Sequence, residues 1–299
     1  MNTKKIIFKK EFKEKSPTTI ADFLASESGL SKSIIKKTML QGAVWFRDAK
    51  KQLAKSRSLT RVRRATKELK QNDYLEMYYD ANILKDSIDD PKPIAIFECE
   101  HYGVWFKPAG VLSQGTKFGD HLSILRWVET NRQTHARNQN HSDVYLIHRL
   151  DLEVEGIMII AYTKRAAALL CELFKKHQIK KEYLAVVVGD VSFSETTIEN
   201  KLDGLYAKTI CKCLSKITVD SDSAKYSLLS INISTGRYHQ IRRHLKEIGH
   251  PVLGDQRYGH SHKSGKLHLK ARCLEFKCPL TGIDRKFFYE IDTWSMKFS

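Results

Sequence analysis

Hydrophobic and polar positions in the first eighty residues follow first a helical and then an extended pattern. Apolar residues repeat at helical spacing from Ile20 up to Gly29, a residue that commonly ends helices. A second helical repeat begins after Ser31, a good N-cap residue, and stops at Gly42. Its inward positions are predicted to be Ile34, Ile35, Met39 and Leu40. Extended runs follow Gly42 and a turn at Asn72, which predicts a small α+β unit.

Beyond about residue 94, apolar runs with extended patterns outnumber the helical ones. Strands are predicted at 102–106, 145–148, 157–163, 182–189, 226–233, 267–276 and 285–291. Helices are predicted at 122–130, at 164–177 and in the second half of 235–249. Strands with interspersed helices predict an α+β domain built on a mostly antiparallel mixed sheet.

The composition changes between these two parts of the chain. Residues 80–95 are acidic and contain proline, which is typical of a linker. We therefore predict a small N-terminal domain at 1–80, a linker at 81–94 and a large domain at 95–299. No internal repeat is visible.

Positive charge is concentrated at the N-terminus. The chain carries a formal net charge of +17, and residues 1–70 hold 19 Lys+Arg against 6 Asp+Glu, a net +13. This density suits a polyanion, either a nucleic acid or an acidic membrane surface, and the plainer alternative is a solvated surface. We expect no membrane span, because no run of about 18 apolar residues exists.

The cysteines indicate the compartment and argue against a metal site. Six scattered cysteines in a long chain without a secretory signal predict reduced thiols and a cytoplasmic protein. Cys211 and Cys213 have no partner pair at a spacing suited to zinc, so we expect no metal. We also expect a monomer.

The predicted second helix offers a candidate surface for a phosphate backbone. Lys32, Lys36 and Lys37 lie on it, and a basic loop that includes Arg61 follows. The pattern of this block resembles the αL-type RNA-binding domain, a small module of some ribosomal proteins and many RNA-modifying enzymes.

The stretch HRLD places charged residues where the core is expected. His148, Arg149 and Asp151 lie between two apolar runs that both predict strands. A buried aspartate needs a partner to stay charged, and the planar guanidinium of arginine fits a carboxylate best. Arg149, or one of the arginines of TGRYHQIRRH, can supply it. From spacing alone, a purely structural ion pair is at least as good an explanation.

Four separated segments resemble the motifs of the RluA-type pseudouridine synthases in order and spacing. They are WFKPAGVLSQ, HRLD followed by Gly156, KKEYLAVVVG, and TGRYHQIRRHLKEIGHPVLGDQRYG. The resemblance covers roughly residues 95–292. These enzymes isomerise uridine to pseudouridine in RNA, by breaking the N-glycosidic bond and rejoining the uracil through carbon.

The resemblance implies roles for individual residues. Asp151 matches the nucleophile that attacks the ribose C1′ of a flipped-out uridine. Tyr183 matches the tyrosine that stacks on the target base and takes part in proton removal. Arg242 matches the arginine that pairs with the aspartate. The residues expected to contact substrate RNA are His148, Arg149, Arg237, His239 and Gln240 in this part of the chain, and Lys32, Lys36, Lys37 and Arg61 in the basic block. The reaction needs neither cofactor nor metal.

The sequence departs from the family pattern at three positions, and other functions stay open. Val154 and Glu155 replace the usual Thr-Ser, and Tyr238 replaces a small hydroxyl residue. Besides a synthase acting on large-subunit rRNA or tRNA, the chain fits a non-catalytic RNA-binding protein derived from a synthase. A metal-dependent phosphodiester hydrolase is a third hypothesis, but no second acidic cluster supports it.

Overall fold

A computed structural model describes residues 5–14, 16–50, 58–132, 143–219, 224–259 and 265–289. The chain divides into two compact units. One comprises Met1–Asp90 and Gln114–Arg132, and the other comprises Pro91–Ser113 and Gln133–Ser299. Of the predicted basic loop, Lys51, Lys55 and Arg57 lie outside the described residues.

The first unit takes in a segment that the sequence had assigned to the large domain. Asp120 makes ion pairs with Arg63 at 2.5 Å and with Arg61 at 3.3 Å. The indole nitrogen of Trp45 donates to the carbonyl of Lys117 at 3.1 Å. These contacts join residues more than fifty positions apart, so a boundary drawn from local composition does not reveal them.

The described part of the first unit contains nine short elements. Its elements are β1 (Lys5–Glu11), β2 (Thr18–Thr19), α1 (Ile20–Ser28), α2 (Lys32–Leu40), β3 (Val44–Arg47), β4 (Thr60–Arg61), β5 (Glu68–Leu69), β6 (Tyr74–Asp80) and α3 (Ile124–Asn131). Four strands form an antiparallel sheet in the order β1-β6-β3-β4, and β2 pairs with β5.

The two N-terminal helices begin and end as predicted. The Ser31 hydroxyl accepts a hydrogen bond from the backbone N–H of Ile34, and Gly29 ends α1 with φ 68°. The inward face of α2 consists of Ile35, Thr38 and Met39, which are at most 1% exposed. The prediction was wrong for Leu40, which is 65% exposed. One position past Met39 rotates a side chain by about 100°, out of the stripe.

The second unit is built on one large sheet. Its elements are β7 (Ile94–Glu98), β8 (Tyr102–Lys107), β9 (Tyr145–Leu146), β10 (Glu155–Ala161), α4 (Lys164–Lys175), β11 (Lys180–Val188), β12 (Glu195–Leu202), β13 (Leu205–Val219), β14 (Ala224–Ile233), α5 (Gln240–Glu247), β15 (Leu269–Lys277) and β16 (Asp284–Phe288). Eight strands follow the order β12-β13-β14-β11-β15-β10-β8-β7, and β9 and β16 pair at the sides. The α+β class with a mostly antiparallel sheet is confirmed.

One parallel pair lies in the middle of this sheet. β10 runs parallel to β15, whereas the other described pairs are antiparallel. The apolar run of β10 is fully buried, and Ala166 and Leu170 of α4 belong to the same core cluster. Because β10 begins directly after the HRLD loop, its burial fixes the position at which that loop leaves the sheet.

Candidate active site

The loop before β10, strand β11 and the start of α5 surround one cavity. Its volume is about 270 Å³. It is lined by Arg149, Leu150, Asp151, Val154, Tyr183, Ile233, Gly236, Arg237, Tyr238, His239, Gln240, Ile241, Arg242 and Leu269. The structure therefore brings Asp151, Tyr183 and Arg242, which are separated in sequence, to one site.

Hydrogen bonds from a neighbouring segment hold the loop that carries Asp151. The Ser113 hydroxyl donates to the carbonyl of Leu150 at 2.6 Å and accepts from its N–H at 3.0 Å. The N–H of Val154 donates to the carbonyl of Asp151 at 3.2 Å, which closes a turn. The Asp151 side chain stays 22% exposed, so its carboxylate is accessible from the cavity.

A buried lysine lies beneath the same loop. Lys107 is 0% exposed, and its Nζ donates to the carbonyls of Pro108 at 2.9 Å, Val111 at 2.8 Å and Leu152 at 3.4 Å. Burial lowers the pKa of Lys107 to about 7, and the charge of Asp151 opposes that shift. This amine thus ties the KPAG turn to the loop that carries the candidate nucleophile.

The imidazole ring of His239 lies beside the Asp151 carboxylate. Its Nε2 lies 3.6 Å from Asp151 Oδ2, and its Nδ1 lies 3.1 Å from the Tyr258 hydroxyl. The residue has φ 51°, a left-handed conformation that is uncommon for residues other than glycine. Burial lowers the pKa of His239, although Asp151 opposes the shift, so the ring is predominantly neutral at pH 7.

Tyr183 lies on β11, next to an irregularity in its pairing with β15. Burial and, after it, the charge of Asp151 raise the pKa of Tyr183 far above its usual value. The phenol is therefore protonated at neutral pH. Its ring forms part of the cavity wall, where it can contact a planar ligand.

The predicted direct pair between Arg242 and Asp151 was wrong. Arg242 Nε and Nη2 donate to the two oxygens of Asp255 at 2.7 and 2.8 Å, and Nη1 donates to Glu153 at 3.1 Å. Asp255 is a better partner for Arg242 than Asp151, because its two oxygens face the guanidinium group in a bidentate pair. Burial raises the pKa of Asp255, but the hydrogen bond and charge of Arg242, together with the backbone N–H groups of Tyr258 and Arg257, outweigh it and the pKa lies below its usual value.

The residues expected to bind RNA near the cavity separate into two groups. Arg149 and Arg237 line the cavity, and Arg149 is exposed. By contrast, the Gln240 amide is used internally, by bonds to Thr235, Arg237, Lys208 and Thr209.

His148 also makes its contacts within the protein. Its Nε2 accepts a hydrogen bond from the N–H of Ile159 at 2.9 Å, and its ring stacks on Phe174. Burial and then the charge of Lys181 lower the pKa of His148 to about 3. A neutral ring suits its acceptor role, and these contacts position the HRLD loop against β10.

The replacement of the family's Thr-Ser by Val154 and Glu155 adds no free charge to the cavity. Val154 is buried in the cavity wall. Glu155 makes an ion pair with Lys270 at 2.7 Å, and both side chains are largely buried.

The basic residues of the first unit that were expected to bind RNA also fall into an exposed group and an internally bonded one. Lys32, Lys36 and Lys37 are exposed on α2, and Lys32 pairs with Asp22 at 2.6 Å. Arg61, in contrast, is an internal connector: its guanidinium stacks on Trp45, donates to the carbonyls of Gly42 and Thr116, and pairs with Asp120. Its side chain is 17% exposed.

Two buried charges of the site were missed by sequence reasoning. Asp255 lies in the segment GHPVLGD and Lys107 lies in the KPAG turn, and neither residue was given a role from the sequence. Both are charged residues inside otherwise apolar or glycine-containing segments, and that was the signal available.

Within the described ranges, no group of three or more His, Cys, Asp or Glu side chains could hold a metal ion. No helix in those ranges is long and apolar enough to cross a membrane. All six cysteines are free thiols.

The chain is similar in sequence to a family of RNA-modifying enzymes. Residues 101–247 match the family model described as RNA pseudouridylate synthase. A tRNA pseudouridine synthase C from Haemophilus ducreyi is 33% identical over 205 residues, covering 58% of this chain and 81% of that protein. A dual-specificity RNA pseudouridine synthase RluA from Vibrio parahaemolyticus is 29% identical over 221 residues, covering 68% and 85%.

A solved structure agrees on the fold. Human RNA pseudouridylate synthase domain containing 1 superimposes with a TM-score of 0.56 at 20% identity, covering 69% of this chain and 86% of that one. The sequence match to relatives over most of their length goes further than the fold. Together with the motifs around the cavity, it shows that the chain belongs to the RluA-type RNA pseudouridylate synthases and is an RNA pseudouridine synthase.

Proposed function

We propose that the chain isomerises specific uridines in tRNA or large-subunit rRNA, with Asp151 as the nucleophile on a flipped-out uridine. The observation that carries this proposal is the partly exposed carboxylate of Asp151 in the wall of a cavity of about 270 Å³. Pockets for drug-sized ligands span about 300–1,000 Å³, so this cavity suits a single nucleoside. The relative named for tRNA supports tRNA as the substrate, and the relative named for dual specificity supports more than one class of RNA.

The proposed reaction balances without water or a co-reactant. A carboxylate oxygen of Asp151 forms a bond to C1′ while the bond from C1′ to N1 breaks, and the uracil leaves with that electron pair. The detached uracil turns within the cavity. Its C5 then bonds to C1′ and displaces Asp151, the C5 proton is removed, and N1 ends protonated. The uracil cannot escape during this sequence if the cavity walls retain it.

Tyr183 is suited to the later proton transfer by its position beside Asp151. Its raised pKa comes first from burial and then from the carboxylate charge. Once Asp151 is bonded to C1′, that charge is lost and the second cause disappears. The phenol therefore ionises more readily after the glycosidic bond has broken. It can give its proton to N1 of the detached uracil and, as the phenolate, accept the C5 proton later; until then its ring serves as a stacking surface.

Arg242 acts on Asp151 from a distance in this proposal. It is fixed by Asp255. Burial lowers the pKa of the guanidinium, but Asp255 and, after it, the charges of Glu153 and Asp151 raise that pKa above its usual value. A buried cation near the nucleophile attracts its negative charge. The exposed lysines of α2 are proposed to bind RNA phosphates.

A deletion strain provides the test. Total RNA from a strain lacking this chain is incubated with the purified protein in EDTA, and pseudouridines are mapped before and after. We expect one or a few uridines to be converted by the wild type, and no conversion by Asp151→Asn with RNA affinity retained. Asp143→Asn, an exposed acid in the segment before β9, is the matched control and should convert normally.

The same experiment separates the other hypotheses. Conversion in EDTA excludes a metal-dependent hydrolase. Binding without any conversion would support a non-catalytic RNA-binding protein. Asp151→Asn turnover within tenfold of the wild type would contradict the nucleophile assignment.

A further inference from the structure

Tyr238 presents an aromatic ring at the rim of the cavity. The residue is 48% exposed, yet it lines the same cavity as Asp151. One face of the ring lies against His239, with centroids 3.7 Å apart and planes 21° apart. Its hydroxyl accepts a hydrogen bond from Arg257 Nη1 at 2.9 Å. The ring is thus held at one face and at its tip, while much of its surface is open to solvent.

The size of the cavity determines what lies against this ring. If a single flipped-out uridine fills about 270 Å³, the adjoining nucleotides stay outside. Flipping also removes the stacking partner of the adjoining base and leaves one of its faces uncovered. An aromatic ring at the rim can cover that face, because stacking on aromatic side chains is tolerant of base identity.

The surroundings of Tyr238 suit a nucleotide better than an apolar partner. Arg149 and Arg237 line the same cavity, and Arg257 lies 5.5 Å from the Tyr238 ring centroid. These cations are placed to meet the phosphates on either side of a flipped nucleotide. Because the ring is already fixed, little side-chain entropy is lost when a base stacks on it.

We propose that Tyr238 is the stacking platform for the nucleobase that directly adjoins the flipped-out uridine. This inference rests on the proposed function, since it needs a flipped uridine in the cavity. It assigns Tyr238 to positioning the RNA strand, while Tyr183 contacts the target uracil.

The test combines protein and RNA changes on a stem-loop containing a uridine mapped in the deletion strain. All proteins carry Asp151→Asn, which leaves the RNA unmodified. RNA affinity is measured for the protein with Tyr238 intact and for its Tyr238→Phe and Tyr238→Ala variants. Each binds the intact stem-loop and two versions with an abasic nucleotide, 5′ or 3′ of the target. We expect Tyr238→Ala to weaken binding of intact RNA about 5- to 150-fold, and Tyr238→Phe to stay within about threefold.

The abasic RNAs show whether the ring touches a base. On one side of the target, removing the base should weaken RNA binding by the protein with Tyr238 intact about as much as Tyr238→Ala weakens binding of the intact RNA. On that abasic RNA, Tyr238→Ala should add little further loss of affinity. Equal effects of Tyr238→Ala on the intact and both abasic RNAs would overturn the proposal, because the ring would then act only by supporting His239. Unchanged affinity would overturn it as well. Turnover of the intact stem-loop by the wild type is measured separately. Failure of the proposed function would appear as absent turnover, whereas failure of this inference would appear in the affinity ratios.

Discussion

At the scale of single residues, two neighbouring arginines on α5 have opposite environments. Arg242 is 3% exposed and holds Asp255, whose side chain is 0% exposed. Arg243 pairs with Asp203, whose side chain is 66% exposed. Arg242→Ala leaves a buried carboxylate without its cation, so we expect a loss of about 3–5 kcal/mol in the free energy of unfolding. Arg243→Ala should cost about 0–1 kcal/mol.

Urea unfolding of the two variants measures this contrast. Similar small losses at both positions would mean that the backbone N–H groups of Arg257 and Tyr258, which also bond to Asp255, suffice to keep its charge buried.

Lys107 gives the stability of the protein a specific pH dependence. Its folded-state pKa of about 7 lies below the usual 10.5, so between these values the unfolded chain binds more protons at this residue than the folded chain. The free energy of unfolding contributed by Lys107 therefore rises with pH, by up to about 1.4 kcal/mol per pH unit. We expect the wild type to gain stability relative to Lys107→Met between pH 7 and 10, in urea unfolding at several pH values.

A stability difference that stays constant over that range would show that Lys107 is charged in the folded protein. The three carbonyl acceptors around Nζ would then outweigh its burial.

The sequence predicted the members of the site better than their partners. The resemblance of HRLD, KKEY and HQIR to the family's motifs predicted that Asp151, Tyr183 and Arg242 share a site, and all three line the cavity. That Arg242 binds Asp255 depends on a loop thirteen residues away, and nothing in local spacing ranks Asp255 above Asp151. Arg61 was predicted to bind RNA from its charge alone, and its partner Asp120 lies far along the chain.

At the scale of elements, the start of β10 depends on one glycine. Gly156 has φ 134°, and a Cβ placed on it would lie 2.3 Å from the carbonyl oxygen of Ala271 on β15. The positive φ and the close approach to Ala271 both occur where β10 and β15 pair in parallel, just after the HRLD loop. We expect Gly156→Ala to lower the free energy of unfolding by at least the ~1–3 kcal/mol that backbone strain costs. Turnover should also fall, because the Asp151 loop shifts with the strand.

Gly204 provides the control for backbone conformation alone. It has φ 77° at the β12–β13 turn, and no atom lies within 4 Å of a Cβ placed there. Gly204→Ala should cost about 1 kcal/mol and leave turnover unchanged. If thermal unfolding gave equal losses for both variants, the close approach to Ala271 would be of no consequence.

Elements with strong periodicity were predicted, and polar hairpins were not. The apolar runs of β8, β10, β11, β14 and β15, and the amphipathic α4, were all evident from sequence. The β12–β13 hairpin was missed because its buried positions include small or polar residues, such as Ala207, Thr209 and Cys211, so its strands lack the apolar pattern of a core strand. Its stability comes from pairing with β14, a tertiary contact.

At the scale of the whole molecule, the uneven distribution of charge remains the feature that links sequence to RNA. Residues 1–70 carry a net +13 of the total +17. Inside the first unit, Arg61 and Arg63 are used to bind Asp120, so part of that charge is internal. Lys32, Lys36 and Lys37 stay exposed on α2, and they are therefore the residues in which to test phosphate binding.

Replacing these three lysines by glutamine in the full chain should change the salt dependence of RNA binding. Each phosphate contact contributes about 0.7–0.9 to the slope of log affinity against log salt, so losing three contacts should reduce the slope by about 2–3. The matched control is the replacement of Lys164, Lys175 and Lys176, three exposed lysines at the ends of α4, which removes the same formal charge. Affinity for a tRNA transcript is measured across a salt series. If α2 binds phosphates, only the α2 variant departs from the wild-type slope. The same reduction in the α2 and α4 variants would mean that net charge alone attracts the RNA. Equal slopes for the wild type and both variants would mean that α2 does not contact the RNA.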